Sequence, residues 1–308
     1  SDATKGWVPL EDDVTALEAV APPTQKAIFG YGATSSYVSM TNLVNSSGVV
    51  ATDTTGVGTA RRELAATGYG GDKAIFGYGF TGSKVSMTNL VSNNGVVAAD
   101  VTGVGTARQR LAAASYGGDK GLFGYGENSG KISVTNLVSN SGVVATDTTG
   151  VGTARQYLAA TNYGGNKAIF GYGETSSYIS ATNLVSNSGV VATDTTGVGT
   201  ARARLEAASY GGDKAIFAYG FTGSNVSMSN LVSNTGVVSA DVTGVGTNRY
   251  GLGAASYGGD KAIFGYGWTG AYVSMTNLVS NSGVVAADVT GVGTARRYSA
   301  AAGYSLSA

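Results

Sequence analysis

The chain contains no cysteine and no histidine. It therefore has no disulfides, no thiolate nucleophile, none of the usual zinc ligands, and not the side chain that most often acts as a general base. These absences make an enzyme the less favoured class of protein. We also expect no cofactor.

Charged residues are scarce, at 12% of the chain, and the 19 basic residues balance the 19 acidic ones. Such a weak and balanced charge gives no general field to hold a polyanion, so nucleic acid is not an expected partner. No stretch approaches about 18 consecutive apolar residues, and the N-terminus lacks a basic-then-apolar signal pattern. The sequence therefore predicts no membrane insertion.

The sequence does contain one unit of 47 residues that is repeated six times without insertion or deletion. The units begin at Lys26, Lys73, Lys120, Lys167, Lys214 and Lys261. Because such units contact their neighbours, we place a single repeat domain at residues 26–308. Residues 1–25 stand outside the repeat, and we expect a leader that is either loosely docked or an anchor to a larger assembly. A short helix over residues 13–20 fits this segment.

Each unit contains four short runs of β-forming residues separated by glycine, asparagine, serine and aspartate. Four antiparallel strands in every 40–50 residues are typical of a β-propeller blade, with a β-solenoid as the alternative. The predicted strands of the second unit are Lys73–Tyr78, Lys84–Val91, Gly95–Asp100 and Leu111–Tyr116.

The alanine-rich segment Leu111–Tyr116 precedes a Gly-Gly-Asp turn, and the strand that follows such a turn ends in Gly-Tyr-Gly, as in Ala74–Gly79. This order resembles the kelch repeat. Asp100 and Arg108 lie near the aspartate and the arginine of the kelch pattern. Gly-Tyr-Gly, however, replaces the kelch double glycine, and no tryptophan marks the fourth strand. The glycine- and tyrosine-rich units are also, more loosely, similar to tail and other virion proteins of bacteriophages.

The kelch resemblance implies an all-β fold, a closed six-bladed β-propeller of four-stranded antiparallel blades with the alanine-rich strand innermost. The first repeat opens at Lys26 with the second strand of a kelch blade and lacks its own inner strand, and the chain ends with an alanine-rich strand in Arg296–Tyr304. We therefore expect this C-terminal strand to complete the first blade, which closes the ring and removes exposed edges.

Positions that are identical in all six units are expected to be structural. Two tyrosines per unit, beginning with Tyr31 and Tyr69, are predicted to pack between blades. The asparagine of each Asn-Leu-Val is predicted to bond to nearby backbone at a bulge. One aspartate and one arginine flank each Thr-Gly-Val-Gly-Thr loop, which predicts a charge-assisted hydrogen bond that holds the loop or joins neighbouring blades. Calcium is the alternative, but one carboxylate per loop supplies too few ligands, so we predict no metal. These repeated residues are Asp53, Arg61, Asp100, Arg108, Asp147, Arg155, Asp194, Arg202, Asp241, Arg249, Asp288 and Arg296.

Two windows vary between units, one after Gly-Tyr-Gly and one after the invariant arginine. Successive connections in an antiparallel blade alternate between its two faces, so both windows should lie on one face. Aromatic residues among small polar ones on loops are typical of a binding surface, and neutral drift is the alternative. The predicted ligand-binding residues are Tyr37, Phe80, Tyr157, Tyr178, Phe221, Tyr250, Trp268, Tyr272 and Tyr298.

These features predict a non-enzymatic structural or recognition protein, extracellular or in a virion such as a phage tail or fibre. It would bind a surface polysaccharide or a partner protein through the variable windows. It would assemble with itself or other virion proteins through residues 1–25 or its flat faces. A free-standing multivalent lectin is the alternative, although windows that differ between units favour one composite surface.

A glycosidase-like enzyme is a third, less favoured hypothesis. The segment 51–56 only approaches the aspartate box of the six-bladed sialidases. The non-repeated acids Glu63, Glu127, Glu174 and Glu206 have no evident partner in the sequence.

Overall fold

The computed structural model describes residues 24–308, and the expectations for residues 1–23, including the helix, lie outside this part. The described chain forms β-strands arranged as six three-stranded antiparallel sheets. This confirms the predicted all-β class. The strands are β1 (Lys26–Ala33), β2 (Tyr37–Val44), β3 (Ala65–Tyr69), β4 (Lys73–Phe80), β5 (Lys84–Val91), β6 (Ala112–Tyr116), β7 (Lys120–Gly124), β8 (Thr135–Val138), β9 (Ala159–Tyr163), β10 (Lys167–Gly171), β11 (Thr182–Val185), β12 (Glu206–Tyr210), β13 (Lys214–Phe221), β14 (Asn225–Val232), β15 (Gly253–Tyr257), β16 (Lys261–Trp268), β17 (Tyr272–Val279) and β18 (Ala300–Tyr304).

Each sheet combines a short alanine-rich strand, a middle strand that begins at a repeat lysine, and a third strand. The sheets are β18-β1-β2, β3-β4-β5, β6-β7-β8, β9-β10-β11, β12-β13-β14 and β15-β16-β17. The first sheet is completed by the C-terminal strand, with Tyr304 opposite Lys26 and Ala300 opposite Gly30. The predicted pairing of the last strand with the first sheet is therefore confirmed.

The middle strands are buried, and the apolar core lies between neighbouring sheets. Ile75 and Phe76 of β4 are fully buried. Phe76 packs edge-on against Tyr31 of the preceding sheet, with 5.1 Å between ring centroids. The same contact occurs at every sheet boundary and joins Phe29 of the first sheet to Tyr266 of the last at 5.2 Å. These contacts confirm that this tyrosine set packs between sheets.

Four of these tyrosines sit at a bulge in the middle strand, and the other two, Tyr125 and Tyr172, follow directly after the residue at which the middle strand ends. Tyr78 has φ of 63°, and the register of β4 with β5 shifts between Gly77 and Gly79. A Cβ on Gly77 would lie 2.6 Å from Cζ of Phe123, so the glycine permits close approach of the next sheet. The Gly-Tyr-Gly motif thus provides both the bulge and the contact between sheets.

One of the four predicted strands of the second unit, Gly95–Asp100, is wrong as a regular strand. Each sheet therefore has three strands and not four. This segment makes only isolated bridges to β5. Between the two bridges it has one residue more than β5, and this extra residue interrupts the regular pairing of the two chain segments. The bridges join Val97 to Val91 and Val101 to Thr88. Asn89 fills the gap by donating a hydrogen bond to the carbonyl oxygen of Ala98 at 3.0 Å. The predicted bond from this asparagine to nearby backbone is confirmed.

The sheets follow one another in a cycle. Each short strand contacts the short strands of the two neighbouring sheets, in the order β3, β6, β9, β12, β15, β18 and again β3. Six backbone hydrogen bonds form a second cycle, in which each amide donates to the carbonyl oxygen of the equivalent residue one unit earlier. The amide of Glu63 completes it by donating to Tyr298 at 3.2 Å. We call these residues the central ring: Glu63, Arg110, Tyr157, Arg204, Gly251 and Tyr298.

Candidate recognition surface

The two variable windows meet at one end of the sheets. In the second sheet Arg62 and Phe80 form a β-bridge, and in the last Tyr250 bridges Trp268. The Gly-Gly-Asp and Asn-Ser-Gly turns meet at the opposite end, where Asn140 donates to the Asp119 carboxylate at 3.1 Å. We call the end that carries the two windows and the central ring the variable face.

All nine aromatic residues predicted to bind ligand lie on the variable face, and each is partly buried. Ring contacts with centroid distances from 4.8 to 6.2 Å join them into three groups. The largest group combines rings from four units, and its contacts are not repeated in the other units, so it has no sixfold symmetry. The groups are Tyr37 with Phe80, Trp268 with Tyr272, and Tyr178, Phe221, Tyr250, Tyr298 and Tyr157 in that order of contact.

Three arginines cover these groups, and sequence reasoning did not single them out. The guanidinium carbon of Arg204 lies 4.7 Å from the ring centroid of Tyr157 and 5.3 Å from that of Tyr250. Arg297 lies 4.5 Å from the Trp268 ring, and its Nη1 donates to the Tyr250 hydroxyl at 3.1 Å. Arg62 covers the remaining pair, Tyr37 with Phe80.

None of Arg62, Arg204 and Arg297 forms an ion pair with a carboxylate of residues 24–308. The Nε atom of each is buried and makes no hydrogen bond within that range. An arginine offers a planar fork of donors to a carboxylate or sulfate group. Within residues 24–308, the variable face therefore presents three cations that lie against aromatic rings and have no carboxylate at ion-pair distance.

Other charges on the variable face are neutralised by ion pairs within the protein. Arg110 binds the Glu63 carboxylate at 3.1 Å and also the Glu127 carboxylate. Tyr157 donates its hydroxyl hydrogen to Glu63 at 2.8 Å. Glu63 and Glu127 thus do have a partner, contrary to the expectation from the sequence. Burial raises the pKa of Tyr157 well above its usual range, and the Glu63 charge adds to the effect.

Beneath the variable face, the invariant aspartates and arginines join successive units. Asp100 accepts hydrogen bonds from the backbone amide and the hydroxyl of Thr59, and from Asn89. Arg61 lies fully buried and donates to the carbonyl of Tyr78 and to Oδ1 of Asn89. In the six equivalent pairs the Asp Oδ1 and Arg Nη1 atoms are 3.7–4.0 Å apart, so they form an ion pair and not a direct hydrogen bond. Each pair joins an aspartate to the arginine of the preceding unit, with Asp53 paired to Arg296.

The same network sets the charge state of the aspartates. Burial alone would raise the pKa of Asp100, but hydrogen bonds from Thr59 and Asn89 and the Arg61 charge outweigh it and hold the pKa below its usual range. The other five aspartates show the same direction for the same reasons. These carboxylates are therefore fixed, ionised parts of the junctions between units.

Among residues 24–308, no group of three or more acidic side chains is arranged to hold a metal ion. That range also contains no helix with the length and apolar character needed to cross a membrane. No model of a known protein family matches this chain, and no curated protein sequence is similar to it. Its function must therefore be argued from the geometry of the variable face.

Proposed function

We propose that the six sheets form a closed, kelch-like six-bladed β-propeller with the alanine-rich strands innermost. The cyclic contacts of the short strands and the hydrogen-bond cycle of the central ring support this architecture. So does Arg296, which donates to the carbonyl of Tyr31 at 2.9 Å and to Asn42 at 2.7 Å. Arg155 makes the same two bonds to Tyr172 and Asn183 of the following unit.

On this scaffold we propose a non-enzymatic structural or recognition protein that binds an acidic surface glycan through its variable face. The observation that carries the proposal is the asymmetric cluster of aromatic rings covered by Arg204 and Arg297. Apolar sugar faces stack on aromatic rings, and a guanidinium matches a sugar carboxylate or sulfate. Because the cluster combines side chains from several units, it forms one composite site, which disfavours the multivalent lectin.

The backbone of the central ring adds support. Its five non-glycine residues have φ between 53° and 59°, a region that costs a non-glycine residue about 1–3 kcal/mol. Gly251 occupies the equivalent position in the fifth unit with φ of 65°, so glycine is accepted there. Charged and aromatic side chains retained at strained positions are typical of functional surfaces.

A glycosidase is the second candidate, because Tyr157 and Glu63 form a hydrogen-bonded pair and some glycosidases use a tyrosine nucleophile. The raised pKa of Tyr157 disfavours the phenolate that such a nucleophile requires. Glu63 is moreover engaged by Arg110. Recognition is therefore the better supported function, and we place the protein outside cells or in a virion, as the looser resemblance to virion repeats implies.

The test is binding of the purified chain to an array of neutral, uronic-acid, sialylated and sulfated glycans. Arg204→Gln should weaken binding to acidic glycans by about tenfold to a hundredfold, since a charged hydrogen bond is lost. Lys214→Gln, which removes an exposed cation at the opposite end, is the matched control and should bind like the wild type.

Binding that both variants lose equally, or preference for neutral glycans, would contradict the assignment to the variable face. A protein partner would be supported if no glycan binds and Arg204→Gln abolishes capture of that partner. Release of the reporter from fluorogenic aryl glycosides of acidic sugars, lost in Tyr157→Phe, would instead establish the glycosidase.

A further inference from the structure

A cavity of about 140 Å³ is enclosed by the short strands of all six sheets. Alanine side chains form most of its inner wall, and the Gly-Gly-Asp turns surround its mouth. A second cavity of about 40 Å³ lies beside the central ring. Glu206, the first residue of β12, lines both cavities.

Glu206 breaks the symmetry of the inner wall. The equivalent residues of the other units are alanine or glycine: Ala65, Ala112, Ala159, Gly253 and Ala300. The Glu206 carboxyl makes no ion pair and no hydrogen bond with another side chain of residues 24–308. A single carboxyl group thus lies among the alanine side chains of the inner wall, whereas serine, threonine and asparagine side chains and the Gly-Gly-Asp turns line the rest of the cavity.

The other titratable groups of the two cavities do not neutralise it. Those around the larger cavity are Tyr69, Lys73, Asp119, Lys120, Tyr210 and Asp260. Those around the smaller one are Glu63, Arg110, Tyr157, Arg204 and Tyr298. Burial raises the pKa of Glu206 to about 8, and only its hydrogen bond with the amide of Ala207 opposes the rise.

We propose that the larger cavity binds a small organic cation, an ammonium group on a short apolar body, with Glu206 as its counter-ion. Glu206 is half-buried and its carboxylate has no charged partner within residues 24–308, so an ammonium ligand would supply the opposite charge and further hydrogen bonds. A cavity of about 150 Å³ has room for a ring of the size of benzene, so on volume alone benzylammonium is a suitable probe. The inference does not depend on whether the variable face binds a glycan.

The proposal predicts a characteristic pH dependence. Below pH 8 the free carboxyl is largely protonated, so binding of an ammonium must release its proton. Affinity should therefore rise with pH up to about 8 and fall again only where the amine itself loses its proton. Near neutral pH, calorimetry in buffers of different ionisation enthalpy should detect proton release on binding.

The experiment titrates the full chain with benzylammonium and with benzyl alcohol, its uncharged counterpart, at pH 6 and pH 8. The wild type should prefer the ammonium by about tenfold to a hundredfold at pH 8. Glu206→Ala, which restores the residue of four other units, should abolish that preference and the proton release. Glu206→Gln should do the same and serves if the alanine variant fails to fold. An undiminished preference in a folded Glu206 variant, or no ammonium binding by the wild type at millimolar concentration, would overturn the proposal.

Discussion

Replacement of Arg296 by methionine tests whether the two ends of the repeat array meet. Arg296 is fully buried, yet its main partners, Tyr31, Asn42 and Asp53, belong to the first unit. In a closed ring this arginine is equivalent to Arg155, whose partners lie in the following unit. In an open array Arg296 would have no such partners, so its replacement would change little.

The expected magnitude follows from the bonds that are lost. Arg296 donates to the Tyr31 carbonyl, the Thr294 carbonyl and Asn42 at 2.9, 3.1 and 2.7 Å. Methionine keeps the apolar stem but leaves the buried acceptors without a donor. Each buried acceptor that loses its charged donor costs about 1–3 kcal/mol, so the loss of these three bonds should cost at least about 3 kcal/mol. We expect both Arg296→Met and Arg155→Met to lower the free energy of unfolding by this amount.

The assay is equilibrium denaturation followed by circular dichroism, with Lys214→Met as an exposed control expected to stay within about 0.5 kcal/mol of the wild type. Similar losses for the two buried arginines would support the closed ring. A loss of about 3 kcal/mol or more for Arg155→Met, with Arg296→Met close to the control, would refute closure. Small effects in both variants would refute the role assigned to the arginine junctions.

Two further predictions concern the junctions between sheets. The six invariant aspartates have lowered pKa values in the folded protein, so their stabilising contribution is present above the unfolded pKa of about 3.9 and is lost as pH falls through the lower folded values. Melting temperatures should therefore drop steeply below about pH 4, and a flat profile down to pH 2 would contradict this. Gly124→Ala would place a Cβ 2.6 Å from Cζ of Phe170 and should destabilise by about 1–3 kcal/mol in urea denaturation. An unchanged midpoint would show that this boundary is not tightly packed.

Most of the strand pattern could be predicted from the sequence, because the repeat fixes the period and the turns. The prediction for β5 agrees at both ends, and that for β6 differs only at its first residue. The prediction of a strand at Gly95–Asp100 failed because this segment has the composition of a strand but one residue too many to pair continuously with β5. Side-chain bonds from Asn89 to Ala98 and Asp100 take the place of the missing backbone bonds. Such a register break cannot be recognised from local propensity alone.

The candidate site could be predicted only in part. Successive connections between antiparallel strands alternate between the two ends of a sheet, and this rule was enough to place both variable windows at one end. The arginine coverage was missed because Arg204 contacts rings from the units before and after its own, and only the folded arrangement brings them together. The pairing of Glu63 with Arg110 did leave a signal. These residues are exactly one unit apart, so opposite charges at equivalent positions in neighbouring units indicated a contact.

The stoichiometry of glycan binding tests the central claim most directly. Calorimetric titration of the wild-type chain with the acidic oligosaccharide that binds best should give one site per chain, because the aromatic and arginine cluster occurs once. Arg204→Gln should weaken that single site, and Lys214→Gln should leave it unchanged. Several equivalent sites per chain, or saturable binding that survives both Arg204→Gln and Arg297→Gln, would contradict a single composite recognition surface on the variable face.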